Sequence, residues 1–273
     1  MVLGGSPDPP PAHPLPPGDP AAVIWHDLEC GSYRADLPLW RELAELSARR
    51  SGPCTILDVG AGSGRVALDL ARAGHRVIAL DVDPGLLAAL QARAGGLELQ
   101  TVHADARSFA LGRQDLGLCL APMQTVQLLG GSDARVAFLR SARAHLRPGA
   151  LLACAIVTAL EPFDCAEGEP GPSPEAVRVE GVLYVSRARA VRVRERKILL
   201  ERERRILFPH AHTCAPATAD RGVVAAREIV ELDRVSSSEL EREGVQAGLQ
   251  PIPARAVAAT ADHVGSTVVM FRA

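Results

Sequence analysis

The 273-residue sequence is poor in aromatic side chains and in lysine, and it has no long hydrophobic run. Phe, Trp and Tyr together make up 3% of the residues, which leaves little surface on which nucleic-acid bases could stack. The formal net charge of −2 gives no overall attraction to nucleic acid or to an anionic membrane. Because no apolar run approaches the ~20 residues of a membrane span, we expect no membrane segment. Lys197 is the only lysine, and this preference for arginine is typical of proteins from GC-rich bacterial genomes.

The six cysteines are widely spaced, so the sequence has no C-x-x-C pair for metal binding or redox chemistry. Cys54, Cys119 and Cys154 lie in or beside apolar runs, and we expect them to be buried as small hydrophobic residues. The N-terminus lacks the basic-then-apolar layout of a signal peptide, so the pattern predicts a reducing, cytoplasmic location. We predict no metal site, because His210 and His212 form only a weak chelating pair.

The most informative stretch is the glycine-rich segment of residues 55–64, TILDVGAGSG. It begins with an apolar run that suits a buried parallel strand, namely Ile56, Leu57 and Val59. Three glycines follow at alternate positions, where they allow a tight turn and a close approach of the backbone to a ligand: Gly60, Gly62 and Gly64. Residues 65–73 have a helical pattern that stops at Gly74. A strand, a glycine turn and a helix together form a cradle for a nucleotide-containing cofactor.

The spacing of the glycines indicates which cofactor the cradle accepts. A dinucleotide fingerprint has the pattern G-x-G-x-x-G, but Arg65 occupies the sixth position counted from Gly60. The sequence has G-x-G-x-G instead, with Asp58 two residues before it. This pattern resembles motif I of the class I S-adenosylmethionine (SAM) methyltransferases. The resemblance implies that SAM is the cofactor and that five residues of this segment bind it: Asp58, Gly60, Ala61, Gly62 and Gly64.

Acidic residues at the ends of the next two strands fit the same resemblance. Asp81 ends an apolar run 17 residues after Gly64, where a carboxylate can accept hydrogen bonds from two ribose hydroxyls. NAD-dependent enzymes use the same device, so Asp81 alone does not separate the two cofactors. The resemblance further implies cofactor contacts from four residues at strand ends, with Asp105 receiving the adenine amino group: Val82, Asp105, Ala106 and Ala121.

The predicted fourth strand, residues 115–120, leads into A-P-M-Q-T, where the resembled family places the methyl group and its acceptor. Enzymes that methylate exocyclic amines of bases or side-chain amides often have N/D-P-P-Y/F at this point, so A-P-M-Q argues against those acceptors. Gln124 or Thr125 can orient a small-molecule acceptor, or equally cap the next helix. The sequence assigns no catalytic base, and five histidines are candidates: His26, His103, His210, His212 and His263.

Five strand–helix alternations with short loops predict an α/β fold with a doubly wound, mostly parallel sheet. The resemblance implies a seven-stranded, Rossmann-like methyltransferase sheet formed by residues 54–160 and 235–273, which ends in a hairpin of strands 254–260 and 266–271. Residues 161–177 are predicted as a loop and residues 179–233 as antiparallel strands, so we expect a β insertion at 161–234 that covers the active site. Residues 1–20 hold eight of the 21 prolines and are expected to be a disordered tail.

Residues 21–53 are expected to form an N-terminal helical lid. Tyr33, Asp36 and Trp40 match the spacing Y-x-x-D-x-x-x-W, with which small-molecule methyltransferases of the resembled class cover the cofactor. Tyr33 is therefore a candidate contact to cofactor or substrate, whereas packing within its helix explains Trp40. The arginine-rich residues 187–205 allow three interpretations: nucleic-acid binding, a solvated face of amphipathic strands, or an inward arginine that holds an acidic substrate.

The sequence therefore predicts a bacterial, cytoplasmic methyltransferase that moves a methyl group from SAM to a small-molecule acceptor by in-line displacement. We expect no membrane or nucleic-acid partner, and the oligomeric state stays open. Two other functions remain: a dinucleotide-dependent oxidoreductase, against which the missing third glycine and Asp105 argue, and a non-catalytic SAM-binding regulator. The sequence has no G-x-S-x-G elbow and no P-loop, which argues against hydrolases and kinases.

Overall fold

The computed structural model describes residues 20–208, 223–261 and 263–273. The predicted N-terminal tail, except for its last residue, and the candidate bases His210 and His212 lie outside these residues. Within them the chain forms six α-helices: α1 (Pro20–Cys30), α2 (Leu37–Ser51), α3 (Arg65–Arg72), α4 (Pro84–Ala94), α5 (Ser132–His145) and α6 (Ser237–Gln246). It also forms twelve β-strands: β1 (Thr55–Val59), β2 (Arg76–Asp81), β3 (Leu99–His103), β4 (Leu116–Ala121), β5 (Leu146–Ile156), β6 (Phe163–Asp164), β7 (Glu175–Val179), β8 (Val182–Val193), β9 (Lys197–Leu207), β10 (Val223–Asp233), β11 (Gln250–Val257) and β12 (Ser266–Arg272).

Seven strands form one sheet in the order β11-β12-β5-β4-β1-β2-β3. The pairings among β1 to β5 are parallel, whereas β12 runs antiparallel to both β5 and β11. β1 lies between β2 and β4, with Leu57 opposite Ile78 on one side and Cys119 on the other. The predicted doubly wound, mostly parallel sheet of seven strands is confirmed.

The central strands are buried on both faces because helices cover each side of the sheet. All residues of β1 and β4 are buried. On one face the core includes Trp40 of α2 and Leu70 of α3, and on the other it includes Phe138 of α5 and Phe271 of β12. Since parallel strands present their carboxyl ends at the same edge, the turns after β1, β2 and β4 meet there.

The segment between β5 and α6 forms a second, antiparallel sheet in the order β10-β9-β8-β6, with β7 also paired to β8. The sequence predicts three strands here, at residues 182–193, 197–208 and 223–233, and β8, β9 and β10 match these bounds to within one residue. The prediction of a plain loop over residues 161–177 was wrong. Residues 161–177 contain β6, the short 3₁₀ helix Cys165–Glu167 and the start of β7. Backbone pairing with β8 holds β6 and β7 as strands.

Arginines of this second sheet are held in ion pairs. Arg192 pairs with Asp164, and Arg204 makes a bidentate pair with Glu29 of α1 at 2.7 and 2.8 Å. The Arg204 guanidinium also lies over the Trp25 ring, 5.5 Å from its centroid. These partners engage both arginines, so neither is free to hold an acidic substrate, and the Arg204 pair joins the second sheet to α1.

The C-terminal hairpin begins earlier than predicted. β11 spans Gln250–Val257 rather than residues 254–260, and it contains Pro251 and Pro253. Proline usually interrupts a strand because it cannot donate to the hydrogen-bond ladder. β11 tolerates both prolines because it is the edge strand and pairs only with β12.

Three findings bear on the expectations from composition. Cys54, Cys119 and Cys154 are buried, as predicted. No helix in the described part of the chain has the length and apolar character needed to cross a membrane. Among the described residues, no group of three or more His, Cys, Asp or Glu side chains is placed to hold a metal ion.

Candidate functional site

The glycine turn joins β1 to α3 and is fixed by the neighbouring strand. The amide of Gly60 donates to the Leu80 carbonyl of β2 at 2.8 Å. Gly60 and Gly62 have φ angles of 70° and 54°, in the left-handed region that favours glycine. A Cβ on Gly60 would lie 2.6 Å from the Thr125 side chain, and one on Gly62 would lie 2.3 Å from the His26 ring. The turn therefore needs glycine both for its conformation and for these two close contacts.

Asp58 stands near the end of β1 as a buried carboxylate without a partner. Its exposed fraction is 1%, and neither side-chain oxygen has a hydrogen-bond partner among the described residues. Burial raises the pKa of Asp58 from 3.8 to about 7, and the nearby Arg65 guanidinium and the Ala67 backbone amide, which is too poorly placed for a regular hydrogen bond, offset this shift only in part. A buried carboxylate without a partner costs free energy. The side chain is therefore available to a cationic or hydrogen-bond-donating group of a ligand.

Asp58 lines a cavity of about 130 Å³ at the carboxyl edge of the sheet. The wall combines α1, the glycine turn and the segment after β4: His26, Cys30, Asp58, Gly60, Ala61, Arg65, Val66, Pro122, Met123, Gln124, Thr125 and Leu128. Five residues predicted for the site from the sequence are thus brought together here: Asp58, Gly60, Ala61, Gln124 and Thr125.

Asp81 reaches the glycine turn from the end of β2. One carboxylate oxygen accepts a hydrogen bond from the Gly62 amide at 2.7 Å, and the other accepts one from the Asp83 amide at 2.9 Å. Asp83 caps α4 by accepting from the amides of Gly85 and Leu86. Asp83 rather than Asp81 therefore caps this helix, and the half-buried Asp81 keeps lone pairs for a further donor.

The remaining predicted contacts do not line this cavity. Val82 is 68% exposed beside Asp81, and Ala121 is fully buried at the end of β4. Asp105 follows β3 and forms a bidentate ion pair with Arg107, so a ligand would have to compete with that guanidinium. Ala106 is half-buried next to it. A Cβ on Gly64 would lie 2.2 Å from Leu90, so the packing around this residue leaves no room for a side chain. Their roles at a cofactor stay predictions.

Helix α1 closes over the glycine turn through a chain of polar contacts. Ser63 donates its hydroxyl proton to Asp27 at 2.5 Å, and the Nδ1 atom of His26 lies 3.1 Å from the same hydroxyl oxygen. Because that hydroxyl has only one proton to donate, His26 Nδ1 must carry a proton and donate it to the Ser63 oxygen. Asp27 also pairs with Arg93 of α4 at 2.6 Å. Burial lowers the pKa of His26, which leaves the imidazole neutral near pH 7 with its lone pair on Nε2.

The predicted Y-x-x-D-x-x-x-W motif organises the next part of the lid. Asp36 is 1% exposed, accepts a hydrogen bond from Trp40 Nε1 at 2.8 Å, and binds both terminal nitrogens of Arg65 at 2.5 and 2.8 Å. The Arg65 guanidinium lies over the Tyr33 ring, 5.2 Å from the centroid of that ring. The Tyr33 ring also contacts the His263 ring. The structure therefore places Tyr33 behind Arg65 and not in the wall of the cavity, and Trp40 is packed in the core as expected.

Sequence reasoning missed several residues that line the cavity. The sequence pattern indicates Arg65 only as the residue that breaks the dinucleotide fingerprint. Its position at the start of α3, directly after the glycine turn, is the signal that could have placed it at the site. Met123 has a φ of 54°, an unusual conformation for a non-glycine residue directly after β4, and no sequence pattern indicates it. Cys30 faces the cavity, and burial raises its pKa to about 11, so its thiol stays protonated. Of the candidate bases among the described residues, His26 lines the cavity, whereas His103 lies 3.0 Å from the Val82 carbonyl.

Comparison with known proteins identifies the central part of the chain. Residues 56–149 match a family model described as a methyltransferase domain. Uncharacterised proteins of Mycobacterium bovis and Mycobacterium tuberculosis are 42% identical over 94 residues, which cover 31% of this chain and 34% of those proteins. The match thus spans about a third of the length of these curated relatives.

Solved structures match over almost the whole chain. An amino pentose methyltransferase from Micromonospora echinaspora, with SAM bound, has a TM-score of 0.64 at 20% identity and covers 92% of this chain and 97% of its own. A sugar N-methyltransferase from Streptoalloteichus has a TM-score of 0.66 at 17% identity, over 100% and 99% of the two chains. At these identities the likeness concerns the fold. Residues 56–149 thus match a methyltransferase domain, and the chain has the fold of these solved methyltransferases.

Proposed function

We propose that this chain transfers a methyl group from SAM to a small-molecule acceptor. The observation that carries the proposal is Asp58, a buried carboxylate without a partner beside the backbone of the glycine turn. SAM carries an ammonium group, and a carboxylate in a low-dielectric site binds such a cation far better than it binds water. The residues present therefore fit the cofactor that the motif implies.

Asp58 and Asp81 divide the binding of the cofactor between them. Asp58 would bind the ammonium group, and the open backbone of Gly60 and Ala61 would allow the close approach that a side chain prevents. Asp81, already oriented by the Gly62 and Asp83 amides, would accept from ribose hydroxyls. When bound, SAM supplies a methyl group on a positively charged sulfur, which the reaction transfers.

The chain's own contribution to catalysis is to position the acceptor and to receive its proton. Gln124 and Thr125 line the cavity after β4 and present amide and hydroxyl groups that can orient an acceptor. His26 lines the same cavity and has an unprotonated Nε2 atom, which suits it to accept a proton from an ammonium or hydroxyl acceptor. Asp27 and Ser63 hold the imidazole in this tautomer.

Helix α1 has to move to admit ligands. The cavity of about 130 Å³ is smaller than the ~300–1,000 Å³ of ordinary small-molecule sites. His26 lies directly on Gly62, so α1 covers part of the surface that a cofactor needs. The Asp27–Arg93 ion pair is exposed, and breaking it costs little free energy because surface ion pairs add little to stability.

The choice of acceptors to test follows from the structural neighbours, which include an amino pentose methyltransferase, a sugar N-methyltransferase and a glycopeptide N-methyltransferase. We propose that the acceptor is a small molecule of comparable chemistry, with an amine on a sugar-like or peptide scaffold. Amino sugars and glycopeptide amines are therefore the first acceptors to screen. Neither a dinucleotide-dependent oxidoreductase nor a non-catalytic regulator finds support among the comparisons.

The test is calorimetric titration with SAM, S-adenosylhomocysteine and NADH, followed by turnover assays. We expect micromolar binding of SAM and S-adenosylhomocysteine, no binding of NADH, and methylated product with at least one amine acceptor. The His26→Gln variant should bind SAM but lose most of its turnover below the pH at which the acceptor deprotonates by itself. Binding of NADH alone would refute the proposal, and SAM binding without turnover on any amine would point to a regulator instead.

A further inference from the structure

A second and larger cavity lies beyond the 3₁₀ turn Thr125–Leu128, on the other side from the cofactor cavity. Its volume is about 630 Å³. Three parts of the chain meet around it: the glycine pair before α5, the β8–β9 turn with the end of β10, and α6. The lining is dominated by charged side chains, so the charges that are not neutralised decide what this cavity can bind.

The acidic groups at the floor of this cavity are already engaged. Asp233 accepts hydrogen bonds from the Gly131 amide, from Arg135 and from Lys197. Arg135 also binds Glu243 in a bidentate pair at 2.7 and 2.8 Å, and both side chains are buried. These contacts fix the floor and use up its negative charge.

The arginines at the rim of the cavity do not form ion pairs of this kind within the described residues. Arg196 and Arg242 are exposed and form no ion pair within the described residues, and Arg234 makes only a 3.5 Å contact with the Arg194 carbonyl. Glu195 and Glu239 are the carboxylates of the lining that form no ion pair in the described chain, and Glu239 accepts hydrogen bonds from Ser236 instead. Three guanidinium groups therefore face the cavity against two carboxylates.

We propose that this cavity binds a small multivalent anion of the phosphate class, such as a diphosphate group. Guanidinium groups bind phosphate oxygens in pairs of parallel hydrogen bonds, and three of them around one space match several oxygens at once. The ion pairs of the floor keep Asp233 and Glu243 from competing for these arginines. This site is separate from the cofactor cavity, so the proposal does not depend on methyl transfer.

The single lysine gives this proposal a local readout. Lys197 lines the cavity and is 38% exposed, so reductive ¹³C-methylation labels it while keeping its charge. We expect the Lys197 NMR signal to move and saturate on titration with pyrophosphate at ~150 mM salt, while added chloride at equal ionic strength leaves it in place. Calorimetry should give the same affinity. A nucleoside diphosphate in place of pyrophosphate distinguishes a nucleotide from a free phosphate ligand.

The arginines are tested by Arg196→Gln/Arg242→Gln, with Arg72→Gln/Arg140→Gln as a matched control on exposed helix faces. The first variant should weaken pyrophosphate binding by about tenfold or more, because it removes two charged hydrogen-bond donors. The control should bind as the original protein does. An unmoved Lys197 signal at about 5 mM pyrophosphate, or equal affinity in both double variants, overturns the proposal.

Discussion

Replacing Asp58 by Asn removes the ionisation of a buried carboxylate while keeping the shape of the side chain. In the folded protein burial raises the pKa of Asp58 from 3.8 to about 7. The folded state therefore holds a proton between these pH values, where the unfolded chain has already lost it. The free energy of unfolding is therefore highest at low pH with respect to this group and falls as the pH rises from about 4 to 7. Above pH 7 both states have lost the proton, and the free energy no longer changes.

The size of this effect follows from the shift. One pKa unit corresponds to about 1.4 kcal/mol, so ionised Asp58 costs about 4 kcal/mol of stability above pH 7 relative to the protonated side chain. Between pH 5 and pH 8 the calculated loss is about 2.5 kcal/mol. The Asp58→Asn variant avoids it, so its melting temperature should rise relative to the original protein by roughly 5–10 °C over that range.

The affinity for a cationic ligand should rise with pH, whereas the stability of the protein falls. A cationic ligand binds the ionised carboxylate, and the ionised fraction of Asp58 falls about eightfold between pH 7.5 and pH 6 for a pKa of about 7. SAM affinity of the original protein should fall by the same factor, in a range where the ligand ammonium, with a pKa near ~8, stays mostly charged. Asp58→Asn should bind SAM weakly and with no such dependence.

Thermal melts and calorimetric titrations at pH 5, 6, 7.5 and 8 measure both effects. Asp115→Asn is the control, because Asp115 is exposed and its Arg113 partner lowers its pKa instead of raising it. Parallel melting curves of Asp58→Asn and the original protein across this range would refute the raised pKa. A SAM affinity that does not change between pH 7.5 and pH 6 would remove Asp58 as the ionised anchor.

Three further substitutions test the surroundings of the site. Gly62→Ala should cost about 1–2 kcal/mol through its positive φ and also weaken SAM binding through the contact with His26, whereas Gly112→Ala, with φ of 65° and no atom within 4 Å of an added Cβ, should show the stability cost alone. Asp36→Asn should lower the free energy of unfolding by about 3–5 kcal/mol in denaturant titrations, because it leaves the Arg65 charge buried, and a loss below about 1 kcal/mol would contradict this. Gln127→Met should cost about 2–5 kcal/mol, since Gln127 bonds the backbone of Val157 and Asp233, and an unchanged unfolding midpoint would show those bonds to be unimportant.

The sheet could be predicted because its signals are local. The glycine turn, the strand-end Asp81 and the apolar runs lie within a few residues of the structure they determine, and the number of strands followed from the resemblance. The edge pieces β6 and β7 escaped prediction because they exist only through pairing with β8. Short strands of this kind have too few residues to establish a period of their own.

The wall of the cavity could be predicted only in part, for a related reason. Asp58 and Thr125 could be predicted because each lies within a few residues of the carboxyl end of a strand. His26 is one of five histidines that the sequence offers equally as a catalytic base, and only the contact of α1 with Ser63, 37 residues away, distinguishes it. The role of Asp105 stays a prediction, and its neighbour Arg107, two residues on, is a competing partner that the family pattern does not include.

The N-terminal motif acquires a physical role from these contacts. Arg65 is the cation nearest in effect to Asp58, and a direct pair between them would satisfy the carboxylate and lower its pKa. Asp36 instead binds the Arg65 guanidinium with both oxygens, at 2.5 and 2.8 Å, while Trp40 holds Asp36 in place. A guanidinium held in this way is not free to turn toward Asp58, so the Asp58 carboxylate stays open to a ligand. We infer that the motif supports cofactor binding by holding Arg65 away from Asp58, rather than through contact of Tyr33 with the cofactor.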